Sequence, residues 1–139
     1  MAIFFHTEDI KFDIKNKRDY KNWIKEVIEK HNKKLSEVNY IFVSDERILE
    51  INKEYLAHDY YTDIITFDYC EDNIVSGDLF ISIDTIRTNS EKFKTDFLHE
   101  LNRVIIHGIL HLIGFKDKTE REAEEMRRKE DESLNLIKF

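Results

Sequence analysis

The chain of 139 residues has no proline, three glycines and one cysteine. Sharp turn signals are therefore few, and we find no repeat, low-complexity tract or linker that would divide the sequence. Cys70 by itself cannot form an internal disulfide, which predicts a fold that is stable without crosslinks in a reducing compartment. We therefore predict a single domain over residues 1–139.

A long apolar run and an excess of positive charge are also lacking. We see no signal for a membrane span or a basic leader, and we expect a cytoplasmic protein without a membrane partner. The net charge of −7 argues against a protein that coats nucleic acid indiscriminately, because phosphate binding depends on Lys and Arg. The stretch 11–34 differs, with nine Lys or Arg against four acids. Its charges suit either the solvated side of an amphipathic helix or a local patch that faces phosphate.

Hydrophobic periodicity predicts both strands and helices. Alternation over 9–14 predicts a half-buried strand, and apolar residues three and four apart from Tyr20 to Leu35 predict an amphipathic helix. The other predicted strands are 39–44, 64–67 and 77–83, and the other predicted helices begin near residues 45, 84, 100 and 119. Strands come first and helices gather at the end, which predicts an α+β fold with a small mixed β-sheet and packed helices.

The segment His107-Gly-Ile-Leu-His111-Leu-Ile-Gly114-Phe-Lys-Asp117 has the spacing of a three-ligand metal site. Because a helix has about 3.6 residues per turn, His107 and His111 project from one face and can hold one ion. Gly114 suits the end of such a helix, and the following residues can bring Asp117 back to face the imidazoles. Three protein ligands with one open position are typical of a catalytic zinc site.

The residues around the two histidines favour a metal site on a buried C-terminal helix. On a helical wheel from 100 to 114, apolar residues cover most of the circumference and leave one narrow polar stripe. The stripe consists of Glu100, Arg103, His107 and His111. The alternative is a pair of core histidines that are hydrogen-bonded to backbone, but the added glycine and carboxylate favour the metal site.

Two classes of metalloprotein share the spacing of this motif. In metzincin peptidases, the residue after the first histidine is a glutamate that acts as the general base. The corresponding residue here is Gly108, which cannot accept a proton. Peptide hydrolysis by that mechanism is therefore disfavoured.

The second class is the YbeY family of bacterial rRNA-processing endoribonucleases, which the motif His107-Gly-x-Leu-His111-Leu-x-Gly114 resembles closely. A central block resembles the same family in order and spacing. The block comprises Asn52-x-x-Tyr55, Asp59, Thr62-Asp63-Ile-Ile-Thr-Phe67 and Gly77-Asp78-x-x-Ile81-Ser82. The resemblance extends from about residue 39 to residue 126, which is most of the chain.

The resemblance implies a zinc-dependent endoribonuclease that acts on single-stranded RNA. The implied cellular roles are 16S rRNA 3′-end maturation and ribosome quality control, with rRNA and ribosomal particles as partners. His107, His111 and Asp117 would hold one zinc ion, which would bind a scissile phosphate oxygen and lower the pKa of a water nucleophile.

Two residues depart from the family pattern. Asp117 stands where the family usually has a third histidine, and a set of two histidines and one carboxylate still suits zinc. Leu56 stands where the family usually has an arginine, which can hold a phosphate through a bidentate contact that leucine cannot make. His58, two residues further on, is our candidate for this catalytic role.

Three acidic residues are further candidates for the site. Asp63 and Asp78 would contact substrate or orient the helix that carries His107 and His111, which we call the metal helix. The alternative for each is a turn cap. Glu100 would contact substrate or accept a hydrogen bond from an imidazole N–H, and the alternative is plain surface charge.

Two other functions stay open at the level of sequence. One is a non-enzymatic ribosome-assembly factor in which zinc only holds the C-terminal turn in place. The other, less favoured because of Gly108, is a metzincin-like metallopeptidase.

Overall fold

The computed structural model describes residues 2–58 and 61–139. Its strands are β1 (Ala2–Thr7), β2 (Lys34–Val43), β3 (Ile64–Asp68) and β4 (Ile74–Ser82). Its helices are α1 (Lys17–Lys30), α2 (Asp45–Leu56), α3 (Ile83–Lys92), α4 (Phe97–Ile113) and α5 (Glu120–Leu134). Among these residues, no helix is both long and apolar enough to cross a membrane. Asp59, part of the central block described above, lies outside the described residues.

The strands form one mixed sheet in the order β1-β2-β4-β3. Strands β1, β2 and β4 run parallel to one another, and β3 pairs with β4 in the antiparallel direction. The parallel pairs need crossover connections, which α1 supplies between β1 and β2. The predicted α+β fold, with a small mixed sheet and packed helices, is confirmed.

The two faces of the sheet bury different sets of side chains. Successive strand residues point to opposite faces, so Leu79 and Ile81 of β4 face the larger core beneath α1, α3 and α4. Helix α2 covers the other face, where Ile48 and Ile51 belong to a smaller cluster with side chains of β2 and β3. The larger core therefore lies on the side of the sheet that holds the two histidines.

Helix α4 lies directly against the sheet at Gly108. A Cβ atom at this position would be 2.9 Å from Cδ1 of Ile64 and 3.1 Å from Cδ2 of Leu79. The missing side chain thus allows the helix backbone to approach β3 and β4 closely. As a result, His107 and His111 lie next to β3.

The helix boundaries follow the capping residues that the sequence indicates. The Ser44 hydroxyl accepts a hydrogen bond from the Arg47 N–H at 3.2 Å and begins α2. Thr119 and Glu122 form the predicted capping box at the start of α5. Gly114 ends α4 with a φ of 126°, a conformation that favours glycine.

The predicted strand over 9–14 is wrong, and the first strand lies earlier, at Ala2–Thr7. Residues 9–14 form an irregular segment that turns back on β1, where the Thr7 hydroxyl donates to the Phe12 carbonyl at 3.0 Å. The Phe12 ring packs edge-on against Phe42, with centroids 5.1 Å apart. The alternation of apolar residues therefore reflects burial of loop side chains and not strand pairing.

Helix α1 has the amphipathic pattern that the sequence predicts, but it ends at Lys30, and Leu35, which the prediction included in the helix, lies in β2. Its buried residues are Tyr20, Trp23, Ile24, Val27 and Ile28. Its Lys and Arg side chains, from Lys17 to Lys30, are exposed. Their exposure suits both interpretations of the basic stretch, and a local patch that faces phosphate stays a prediction.

Candidate metal centre

His107, His111 and Asp117 come together at the C-terminal end of α4. The two imidazole rings have centroids 4.5 Å apart. Oδ2 of Asp117 is 3.3 Å from Nε2 of His107 and 3.3 Å from Nε2 of His111. One ligand atom from each residue lies within 4.8 Å of the other two. The turn at Gly114 thus returns Asp117 to the histidines, as the spacing predicts.

The orientation of the two imidazoles suits a metal ion. Nδ1 of His107 lies 2.6 Å from Oε2 of Glu130, and Nδ1 of His111 lies 3.0 Å from the Phe115 carbonyl oxygen. With its proton on Nδ1, each ring donates to its acceptor and leaves the Nε2 lone pair for a metal. Two such nitrogens and one carboxylate oxygen form a ligand set found in catalytic zinc sites. The residues present therefore fit a zinc ion.

Glu130 on α5 is the main site residue that the sequence analysis missed. The residue is only 5% exposed. One carboxylate oxygen contacts His107, and the other accepts from Nη1 of Arg103 at 2.7 Å. A signal was available, because Met126 and Glu130 are one turn apart on the face of α5 that is buried. A glutamate on the buried face of a charged helix needs a partner.

The contacts among Arg103, Glu130 and His107 change the pKa values of these groups. Burial by itself raises the pKa of Glu130, but its hydrogen bonds with His107 and Arg103 outweigh burial and lower the pKa below its usual value. Burial by itself lowers the pKa of His107, but the hydrogen bond and negative charge of Glu130 outweigh it and raise the pKa. Glu130 therefore binds the His107 ring through a charge-assisted contact.

The two histidines and Asp117 open onto a cavity of about 420 Å³, which we call the metal cavity. Its other lining residues are Thr62, Asp63, Ile64, Thr66 and Asp68. Ile64, Thr66 and Asp68 alternate along β3 and therefore share the face that points to α4. With three carboxylates among its lining residues, the cavity suits a cation.

Asp63 lies in the metal cavity, just before β3. Burial raises the pKa of its carboxyl above the usual value, although the charge of His107 and hydrogen bonds with the backbone N–H of Ile64 oppose the effect. The Asp63 carbonyl accepts a hydrogen bond from the Ser82 N–H at 2.9 Å, which joins this residue to β4. Asp63 therefore has both a turn role and a position beside the ligands, and a contact with substrate stays a prediction.

Asp78 lies on the face of the sheet opposite to α4. Its neighbours in β4, Gly77 and Leu79, face the helix, so the alternation of strand side chains turns Asp78 away. Its carboxylate accepts a hydrogen bond from Nδ2 of Asn39 at 3.2 Å. The prediction that Asp78 orients the metal helix is therefore wrong, and only a substrate contact on the other face stays open as a prediction.

Glu100 does not accept a hydrogen bond from either imidazole. Its carboxylate accepts from the Thr95 hydroxyl at 2.8 Å. Glu130 fills the acceptor role that the sequence analysis assigned to Glu100. The error arises because both glutamates suit the role by type, and only the packing of α5 against α4 selects one. A contact between Glu100 and substrate stays a prediction.

His58 follows the end of α2 and has an exposed side chain. Its backbone N–H donates to the Asn52 carbonyl at 3.0 Å. His58 is not among the described residues that line the metal cavity. Its role as a replacement for an arginine at Leu56 stays a prediction.

The fold and the site together define a class, an α+β protein whose buried C-terminal-half helix presents a His-His-Asp cluster to a polar cavity. Comparison with known proteins names a family of this kind. The chain matches the family described as Endoribonuclease YbeY over residues 3–138. The chain belongs to this family, which confirms the resemblance found in the sequence.

Individual relatives agree with the family match. A protein named Endoribonuclease YbeY from Parabacteroides distasonis is 55% identical, with 99% of this chain and 96% of the relative covered. A protein of the same name from Christiangramia forsetii is 51% identical, with 96% and 92% covered. The solution structure of a Thermotoga maritima protein is 29% identical, with a TM-score of 0.66 and 96% and 90% of the chains covered.

Proposed function

We propose that this protein is a zinc-dependent endoribonuclease that cleaves single-stranded RNA. The observation that carries the proposal is the convergence of His107, His111 and Asp117 within 4.8 Å at the edge of a polar cavity. Membership of the endoribonuclease YbeY family supports the same reaction. Within this proposal, the protein is one cytoplasmic domain over residues 1–139 that acts on rRNA and ribosomal particles, in 16S rRNA 3′-end maturation and ribosome quality control.

The ligand residues have separate parts in this function. A zinc ion held by His107, His111 and Asp117 would supply a Lewis acid for a phosphate oxygen and lower the pKa of a water nucleophile. Glu130 and the Phe115 carbonyl hold the two imidazoles with Nε2 directed at a common point. Asp63 lies in the same cavity, which supports our proposal that it accepts a hydrogen bond from substrate.

The position of the site supports a catalytic zinc over a purely structural one. Structural zinc sites usually have four protein ligands, whereas the described residues offer three beside a cavity. Helices α4 and α5 are already joined by the contacts of Glu130 with His107 and Arg103. Removal of zinc should therefore abolish cleavage while the helix content stays unchanged, which an assembly factor held together by zinc would not show.

The test compares wild type, His111→Ala and Asp117→Ala in cleavage of an rRNA fragment with single-stranded tails, with zinc content measured on the same samples. Wild type should carry about one zinc and cut the RNA, and both variants should lose both properties. His99→Ala, at an exposed position on the same helix, is the matched control and should behave as wild type. Equal cleavage by all four proteins would overturn the proposal.

The candidate role of His58 has its own test. If His58 replaces the family's usual arginine, His58→Ala should slow RNA cleavage while zinc content stays at the wild-type level. Unchanged cleavage removes His58 from the site.

A further inference from the structure

A second cavity adjoins the metal cavity, and we call it the helix cavity. It has a volume of about 260 Å³ and shares Asp63 and His107 with the metal cavity. Its other lining residues are Asn89 and Phe93 at the end of α3, Glu100, Arg103 and Val104 on α4, and Arg127 and Glu130 on α5. Because the two cavities meet at Asp63 and His107, a polymer bound at the metal centre can continue into the helix cavity.

Phe93 supplies an exposed aromatic ring to the helix cavity. The residue is 59% exposed, and the Lys92 Nζ lies 5.6 Å from the centroid of its ring. The exposed ring is therefore accessible to a ligand in the helix cavity. Proteins that bind single-stranded nucleic acid use exposed aromatic rings of this kind to stack unpaired bases, and a nearby cation adds affinity for the backbone.

Arg127 supplies a positive charge to the same cavity. It lies three residues before Glu130, so both side chains leave α5 on the same side. Arg103 is paired with Glu130, and Arg128 with Glu125, whereas no ion pair of Arg127 is found within 2–58 and 61–139. A planar guanidinium suits a bidentate contact with phosphate.

The acidic residues of the helix cavity differ in how strongly their charge would repel a phosphate. Glu130 is neutralised by Arg103 and His107, with contacts of 2.7 Å and 2.6 Å. Glu100 accepts a hydrogen bond from the Thr95 hydroxyl at 2.8 Å, which does not neutralise its charge. Arg127 supplies the positive charge and Phe93 the exposed ring for an incoming nucleotide, while Asp63 and Glu100 stay acidic lining residues of the cavity.

We propose that the helix cavity binds the nucleotide next to the scissile phosphate, with the base stacked on Phe93 and a phosphate held by Arg127. This inference rests on the proposed function, because it takes RNA as the substrate of the adjoining metal centre. Only an unpaired base can leave its neighbours to stack on the ring. The helix cavity therefore contributes to the selection of single-stranded RNA.

Binding of a fluorescent single-stranded RNA to the zinc-loaded protein tests the two residues. Phe93→Ala and Arg127→Ala should each weaken binding about tenfold, within the range measured for loss of one stacked base. Phe93→Tyr, which keeps an aromatic ring, should retain binding. Arg128→Ala, on the next residue of α5, and Phe4→Ala, at an exposed ring on β1, are matched controls and should bind as wild type.

A spectroscopic measurement separates stacking from general weakening. The RNA carries 2-aminopurine at successive positions, and at one position its fluorescence should fall on binding to wild type and to Phe93→Tyr but not to Phe93→Ala. That position should adjoin the cleaved bond. Because Phe93 is exposed, its variants should unfold at the wild-type temperature, so a loss of signal is not a loss of fold.

The possible failures are distinguishable. If Phe93→Ala and Arg127→Ala bind and cleave as wild type while His111→Ala does not cleave, the helix-cavity proposal is overturned and the proposed function stands. If wild type binds RNA through Phe93 and never cleaves it, the proposed function fails, and so does the placement beside a scissile phosphate. A 2-aminopurine signal that is the same in Phe93→Ala overturns the stacking contact itself.

Discussion

Oε2 of Glu130 lies 2.6 Å from Nδ1 of His107, and this contact joins the charged helix α5 to the metal helix α4. Glu130 and His107 are 23 residues apart in the chain. The contact holds the ring so that Nε2 points at His111 and Asp117. With a metal ion at Nε2, Glu130 would be the outer carboxylate that orients a ligating histidine.

Loss of this acceptor should weaken metal binding without removing a ligand. We predict that Glu130→Ala lowers zinc affinity about ten- to a hundredfold, the usual effect of removing the group that orients a ligating histidine. Competition with a chromophoric chelator measures the change. Asp131→Ala is the control, because it removes the other partner of Arg103 and leaves His107 untouched. Wild-type affinity in Glu130→Ala would show that the contact does not orient the ligand.

Two glycines at the contact between α4 and the sheet, Gly108 in the helix and Gly77 in β4, should respond differently to alanine. A Cβ at Gly77 would lie 2.6 Å from the Phe67 carbonyl oxygen, which is backbone and cannot move easily, whereas at Gly108 the near atoms are side-chain ends of Ile64 and Leu79. We predict that Gly77→Ala destabilises the protein by about 2–3 kcal/mol, because overpacking forces the strands apart. For Gly108→Ala, the cost should be smaller, since alanine favours a helix by about 1 kcal/mol. Urea unfolding measures both, and a larger cost at Gly108 would contradict the prediction.

The capping box of α5 should contribute to stability. The Thr119 hydroxyl accepts from the Glu122 N–H at 3.1 Å, so Thr119→Ala leaves a donor of the first turn without its partner and should cost about 1 kcal/mol. Thr88→Ala is the control, because the Thr88 hydroxyl donates to the Asp84 carbonyl at 3.0 Å in mid-helix, where such a contact adds little. Equal losses in urea unfolding would show that the cap is not the cause.

Alkaline unfolding should depend on Tyr40. Its hydroxyl is buried and donates to the Ile105 carbonyl at 2.9 Å, and burial raises its pKa well above the usual value. Above pH of about 10, the unfolded chain loses this proton and the folded chain keeps it, so stability falls by about 1.4 kcal/mol per pH unit for this group.

Tyr40→Phe removes the titrating group and tests this sign. At neutral pH the variant should be about 1 kcal/mol less stable, because the hydrogen bond is lost. Above pH of about 10 its stability should fall less steeply than that of wild type. Tyr69→Phe, at an exposed position, is the matched control. Parallel stability curves for wild type and Tyr40→Phe would contradict the assignment.

Local signals in the sequence predicted much of the fold and part of the site. The ends of helices at Ser44, Gly114 and Thr119 depend on contacts within a few residues, so the sequence contains them. The strand predicted over 9–14 is wrong because the alternation of apolar residues reports burial and not pairing. The hydrogen-bond partners of a strand are set by the whole sheet. For the same reason, the sequence could not assign Asp78 to a face.

The sequence by itself determined the three residues of the candidate metal centre, because His107, His111 and Asp117 lie within one helix and its following turn. Only the tertiary structure decided what surrounds them. The packing of separate elements selects Glu130 over Glu100 as the partner of His107. It also turns Asp78 away from α4 and brings Phe93 and Arg127 to one cavity. Such contacts join residues far apart in the chain, and local periodicity carries no information about the distance between them.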